Sequence, residues 1–234
     1  MLVYLDPNEN VFPDPRMGDP YGRFALGGDI SPERMRVAYS WGILPWFPWR
    51  DEVPQWFCPM QRFVIFPEEI HVSHSMRTLL NKNLYHFSIN RDFEGVIINC
   101  CKGSAGEDRA NNPFSWLGAD MISTMLELHE SGDAVSVEVW DKDDRLVGGL
   151  YGIVSGHIFC GESMFSLVPS GSKLALIALA RYLSLPDCPL GKITLIDCQF
   201  ETPHLKSMGG RIISYEEYLA HNDLKLPPPP AILS

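Results

Sequence analysis

The chain has 234 residues, 45% of them hydrophobic and 11% aromatic, enough for one large or two modest domains with a packed core. Nineteen Lys and Arg against twenty-nine Asp and Glu give a net charge of −10, which argues against a general nucleic-acid coat and leaves only a local phosphate patch. The opening MLVYLDPNENVF lacks the segments of a signal peptide, no apolar run reaches membrane-spanning length, and the six cysteines without C-x-x-C spacing read as reduced thiols, so a cytoplasmic protein with no metal and no membrane partner is expected.

The first seventy residues are rich in Pro, Gly and Trp and weakly periodic, which predicts a small irregular N-terminal domain over residues 1–70. One helix in it is well marked, with Ser31 as N-cap, Pro32 in the first turn and Gly42 as the stop. The remainder, residues 71–234, is more regular and predicts a second domain ending in the Pro-rich tail LPPPPAILS. Ser73 opens a helix to about Asn83. Phe93, Val96, Ile97 and Cys100, then Met121, Met125 and Leu128, have the spacing of two amphipathic helices. Val135, Val137 and Val139 alternate with Ser136, Glu138 and Trp140 as a strand, DKDDR turns the chain into LVGGLYGIV, and HIFCGES follows Gly156. A helix SKLALIALARYL, a strand KITLIDCQF, a short helix from Thr202-Pro203, a strand RII and a helix with the capping box Ser214 to Glu217 complete the pattern. Antiparallel strands followed by a strand–helix–strand crossover predict an α+β, mixed α/β fold.

In LIDCQF, regular alternation puts Asp197 and Gln199 on one strand face and Ile196 with Cys198 on the other. Buried polar groups need partners, which a neighbouring loop or a substrate can supply. Cys198 faces away from Asp197, so an inert thiol is favoured over a Cys–His–Asp triad with His204. Glu162, in GESMFS, is a carboxylate at the end of an apolar strand, as consistent with an internal salt bridge as with recognition of a ligand ammonium. Trp116, in the loop NPFSWLG, and likewise Trp56 and Phe57, either pack on a sheet or stack on a nucleobase. Between Ile70 and Arg91 the chain has no acidic residue but carries His71, His74, Arg77, Lys82, His86 and Arg91; this is a solvated helix face or a phosphate patch.

FPDP, LGGDISPERMRVAYSWGILPWF, IHVSHSMR, SVEVW, LVGGLYG, FCGESMFS, SKLAL, LIDCQ and HLKSMGG, in this order from Phe12 to about Leu219, resemble the leucyl/phenylalanyl-tRNA–protein transferase family. The resemblance implies a small N-terminal domain joined to an acetyltransferase-like (GNAT) domain. It also implies transfer of Leu or Phe from Leu-tRNA or Phe-tRNA to proteins beginning with Arg or Lys, which marks them for the N-end rule pathway, without a cofactor. Carried over by motif, Glu162 holds the α-amino group of the aminoacyl moiety, and Asp197 with Gln199 forms the catalytic pair. Trp116 stacks on the terminal adenosine with Phe57 opposite, and Leu150, Phe159 and Ile196 line a pocket for Leu, Phe or Met. Arg77 and Lys82 become the candidates for tRNA backbone contact. Asp197 is expected to accept the side-chain amide N–H of Gln199 and so aim the amide oxygen at the acceptor amine. Phe57 departs from the family pattern, which has a second Trp there, and CPMQR replaces an SPDPR-like run. A CoA-dependent N-acyltransferase is the rival suggested by the fold, although VPSGSKLAL lacks the glycine spacing of a pyrophosphate loop. A non-catalytic reader of basic N-termini is the rival from another class.

Overall fold

Ser31 begins the first helix as its sequence requires: the hydroxyl accepts the Arg34 amide, Pro32 occupies the first turn, and α1 (Pro32–Ser40) follows. The computed structural model describes residues 2–46, 53–102 and 118–224. Trp116 and the Pro-rich end lie outside the described residues.

Around α1, strands β1 (Val3–Leu5), β2 (Arg23–Gly27), β3 (Leu44–Trp46) and β4 (Gln55–Phe57) form a four-stranded sheet in the order β1-β2-β4-β3. Trp56 belongs to its core: the ring is fully buried and its indole N–H donates to the Gly27 carbonyl at 2.9 Å.

The larger sheet has seven strands: β5 (Gln61–Ile65), β6 (His86–Ile89), β7 (Ala134–Trp140), β8 (Leu146–Ser155), β9 (Ile158–Ser166), β10 (Leu195–Asp197) and β11 (Arg211–Ser214). Their order is β11-β5-β10-β9-β8-β7-β6, and only β9 and β10 run parallel. The helix α5 (Gly171–Leu183) makes the crossover between them. The mixed α/β architecture is as the sequence pattern predicts, with β5 entering the larger sheet directly after the small one.

Helices cover both faces. The apolar stripes of α3 (Phe93–Lys102) and α4 (Ala119–Glu130) pack with α1 and α7 (Tyr215–Ala220) on one side. The other side carries α2 (His74–Asn81), α5 and α6 (Pro203–Ser207). Burial on both faces explains why every residue of β7 is buried despite its alternating sequence. Glu138 is tolerated there because its carboxylate accepts hydrogen bonds from the Ser88 and Ser136 hydroxyls.

Two strand boundaries differ from the sequence expectation. Glu162 does not end its strand; β9 continues to Ser166. KITLIDCQF pairs as a strand only over Leu195–Asp197. Cys198 still donates its amide to the Phe63 carbonyl at 2.9 Å, but Gln199 turns away with φ of 58°. Among the described residues no helix is long and apolar enough to cross a membrane.

Candidate active site

A β-bulge presents Glu162. Tyr151 pairs with Ser163 and Gly152 with Gly161, which leaves Glu162 without a residue opposite it. The extra residue shifts the alternation, so Phe159 and Met164 reach the same core although an odd number of positions separates them. Glycine is required opposite the bulge, because a Cβ at Gly152 would come within 2.2 Å of the Cys160 carbonyl oxygen.

A cavity of about 250 Å³ opens beside the bulge, walled by Leu150, Phe159, Met164, Leu176 and Ile196, with Glu162 and Gln199 among its polar groups. A second cavity, of about 200 Å³, lies between Leu44, Pro45, Trp46 and Phe200 and shares Glu162 and Gln199 with the first. An apolar pocket and an aromatic pocket therefore meet at one carboxylate and one amide. Oε1 of Glu162 is buried and has no hydrogen-bond partner. Burial pushes its carboxyl up to about 7; the Tyr39 hydroxyl opposes this, Asp197 adds to it and Arg62 opposes it.

Asp197 and Gln199 separate where the strand ends. Asp197 is fully buried, forms an ion pair with Arg62 and lines neither cavity. Arg62 also donates to the Gly42 carbonyl at 2.8 Å and lies 4.7 Å over the Tyr218 ring. Oδ1 of Asp197 accepts the backbone N–H of Gln199 at 2.9 Å, and the Gln199 side-chain Nε2 donates to the Gly161 carbonyl at 2.8 Å. The side-chain amide bond expected to reach Asp197 thus goes to the backbone of β9. Asp197 instead holds the left-handed turn that swings Gln199 into the cavities. With Nε2 committed, Oε1 is the end of the amide left to accept a hydrogen bond. The opposite strand face, Ile196 and Cys198, lines the apolar cavity, and burial followed by Asp197 raises the Cys198 thiol, as an inert cysteine requires.

Comparison with known proteins gives this geometry a context. The family model described as leucyl/phenylalanyl-tRNA protein transferase matches residues 64–223, and the model for its N-terminal domain matches residues 28–60. A leucyl/phenylalanyl-tRNA–protein transferase of Flavobacterium johnsoniae is 44% identical over 209 residues, covering 89% of this chain and 93% of that protein. One from Psychromonas ingrahamii is 42% identical over 225 residues, covering 94% and 89%. The chain belongs to the leucyl/phenylalanyl-tRNA–protein transferase family. It is an enzyme of aminoacyl transfer from tRNA to protein.

In this transferase the N-terminus of α5 is already occupied by its own chain. Gly171 donates its amide to the Val168 carbonyl at 3.1 Å, and Ser172 donates its amide to the Ser166 hydroxyl at 3.3 Å. Those amides are not open to a CoA pyrophosphate, in line with the missing glycine spacing.

Of the residues singled out in the sequence, Leu150, Phe159, Glu162, Ile196 and Gln199 are brought together at the apolar cavity. Phe57 lines neither cavity; it packs behind Trp46, with ring centroids 5.7 Å apart. Trp46, 41% exposed and 5.2 Å from Phe200, is the aromatic surface that the second cavity presents. Arg77 and Lys82 are exposed on α2 and at its C-terminus, with no acidic partner at ion-pair distance among the described residues. His86 and Arg91, from the same basic run, both pair with Asp144. Sequence reasoning missed Arg62 and Trp46. The signal for Arg62 was present: an arginine inside the apolar strand QRFVI needs a buried partner.

Proposed function

We propose that this transferase moves Leu or Phe, and also Met, from aminoacyl-tRNA to acceptor proteins whose first residue is Arg or Lys, creating an N-end rule degradation signal in the cytoplasm. The observation that carries the proposal is the shared wall: Glu162 and Gln199 belong both to the apolar cavity and to the aromatic one. Glu162 holds the donor α-ammonium while Leu150, Phe159 and Ile196 enclose the donor side chain. Trp46, backed by Phe57, offers a face to the terminal adenosine, and Trp116 is assigned to the same base. Oε1 of Gln199 accepts a hydrogen bond from the acceptor α-amine and aims its lone pair at the ester carbonyl.

The acceptor amine has an ordinary pKa of about 7.7–8.0, so a neutral fraction exists near pH 7 without special activation. Its nitrogen forms the new C–N bond, the bond from the carbonyl carbon to the ribose oxygen breaks, and the amine proton ends on the tRNA hydroxyl. Asp197 acts as a positioning residue through the Gln199 backbone.

The test is transfer of labelled Leu or Phe from charged tRNA to otherwise identical proteins beginning with Arg, Lys or Ala. Label on the first two alone is expected; equal labelling of all three, or none, overturns the proposal. Pocket shape should set donor choice. Leu150→Phe is expected to lower Phe transfer about tenfold relative to Leu transfer, since apolar pockets discriminate by about 1–3 kcal/mol per methylene. Competition between the two charged tRNAs in one reaction measures that ratio. Arg77→Ala and Lys82→Ala should each weaken tRNA binding and reduce the slope of log affinity against log salt by about 0.7–0.9, a change that binding titrations at several salt concentrations would detect.

A further inference from the structure

We propose that Tyr39 and Tyr151 complete, with Glu162, a three-oxygen seat for a primary ammonium, so that the enzyme selects donors by their unmodified α-amino group. The inference rests on the assignment of Glu162 to the donor α-amino group made above.

Among the described residues, five buried side-chain nitrogen or oxygen atoms lack a hydrogen-bond partner, and three of them are Tyr39 Oη, Tyr151 Oη and Glu162 Oε1. These three form one group. Tyr151 and Glu162 line the same apolar cavity, the Tyr39 hydroxyl is close enough to act on the Glu162 carboxyl as a donor, and the two tyrosines also act on each other. They come from separate elements: Tyr39 from α1, Tyr151 from β8 beside the bulge, and Glu162 from the bulge itself. Folds rarely leave adjacent buried polar groups unsatisfied, and each such group calls for an explanation.

The chemistry of the three oxygens fits an ammonium. Burial holds both phenols well above their ordinary pKa, so both stay neutral. A neutral hydroxyl can give its hydrogen to the Glu162 carboxylate and keep a lone pair for a donor. An ammonium group has three N–H bonds, and three oxygens around it satisfy all of them while the carboxylate balances the charge. The neighbouring thiols, Cys160 near Tyr39 and Cys100 and Cys101 near Tyr151, carry no positive charge, and the cation that does act on Glu162, Arg62, is committed to Asp197 and the Gly42 carbonyl. An acylated α-nitrogen carries neither the charge nor the three hydrogens.

The experiment compares phenylalanyl-adenosine with 3-phenylpropionyl-adenosine, which lacks only the amino group, as inhibitors of transfer from labelled Phe-tRNA. Wild-type enzyme, Tyr39→Phe, Tyr151→Phe and the double variant are measured together with their melting temperatures. Wild type is expected to prefer the aminoacyl ester by about 100-fold. Each single substitution should lower that preference about tenfold, the double more, with the deamino ester changed less than threefold. A merely structural role would weaken both inhibitors alike, and that result overturns the seat, as does an unchanged preference in both single variants. Glu162→Gln, which must lose the preference as well, keeps the test decisive if a tyrosine variant fails to fold. Wild-type enzyme that binds neither ester removes the donor-site assignment itself, which distinguishes that failure from failure of the seat.

Discussion

Replacing Arg62 with Met is expected to destabilise the protein by about 3–5 kcal/mol, the range for removing one member of a buried ion pair. Asp197 and Arg62 are both buried, and the carboxylate has the guanidinium as its charge partner. Burial works against the Arg62 charge, but Asp197 outweighs it and holds the guanidinium above its ordinary pKa. Methionine fills much of the space yet leaves the Asp197 charge uncompensated. Urea denaturation measures the loss. The double variant Arg62→Met/Asp197→Leu separates stability from function, because apolar replacement of a whole buried pair is often close to neutral. It is expected to regain most of the stability while transfer stays down by about 100-fold, since nothing then holds the backbone N–H of Gln199 in its turn. A single variant as stable as wild type would contradict the burial of the pair.

Glu162→Gln should have opposite effects on stability and activity. The folded protein raises this carboxyl from its ordinary 4.5 to about 7, chiefly by burial. Folding therefore favours the protonated form, and the stability present in acid is lost as pH rises from about 4.5 through about 7. Above that range the wild type carries the cost of a buried charge, up to about 3 kcal/mol, which glutamine does not. The variant is expected to melt at the same temperature as wild type at pH 4 and at a higher one at pH 8. Transfer should fall by about 100-fold, because the amide cannot balance the donor ammonium. Wild-type KM for the donor should rise as pH drops below about 7, while the variant's KM stays flat over that range. Melting curves at the two pH values and KM profiles check both halves. A variant less stable than wild type at pH 8 would make Glu162 a structural carboxylate.

Local signals in the sequence located most of the helices, and the family motifs located part of the apolar cavity's wall but not the aromatic wall of the second cavity. Ser31, Ser73 and Ser214 are caps whose partners lie three residues on, and the stripes of α3 and α4 need only a period. Leu150, Phe159 and Ile196 were legible because their motifs keep their order. What the sequence hid was long-range. Arg62 and Asp197 are 135 positions apart, and CPMQR looked only like a departure from a pattern. The regular alternation expected through LIDCQF failed because the Asp197 carboxylate captures the amide two residues on, bending the chain before Gln199. The bulge at Glu162 depends on the register with β8, which a single strand does not encode. Trp46 emerged from a Pro-rich stretch without periodicity, so only its contacts with Phe57 and Phe200 revealed which aromatic faces the cavity.

The central claim is that Gln199, turned into the junction of the two cavities, aligns the acceptor amine with the donor ester. Single-turnover transfer of labelled Phe from Phe-tRNA to a protein beginning with Arg, by wild type and Gln199→Ala, tests it most directly. A chemical rate about 100-fold lower, with donor affinity changed less than threefold, is the expected result. An unchanged rate with the enzyme folded and saturated would contradict it and leave Gln199 as a structural tie between β9 and β10.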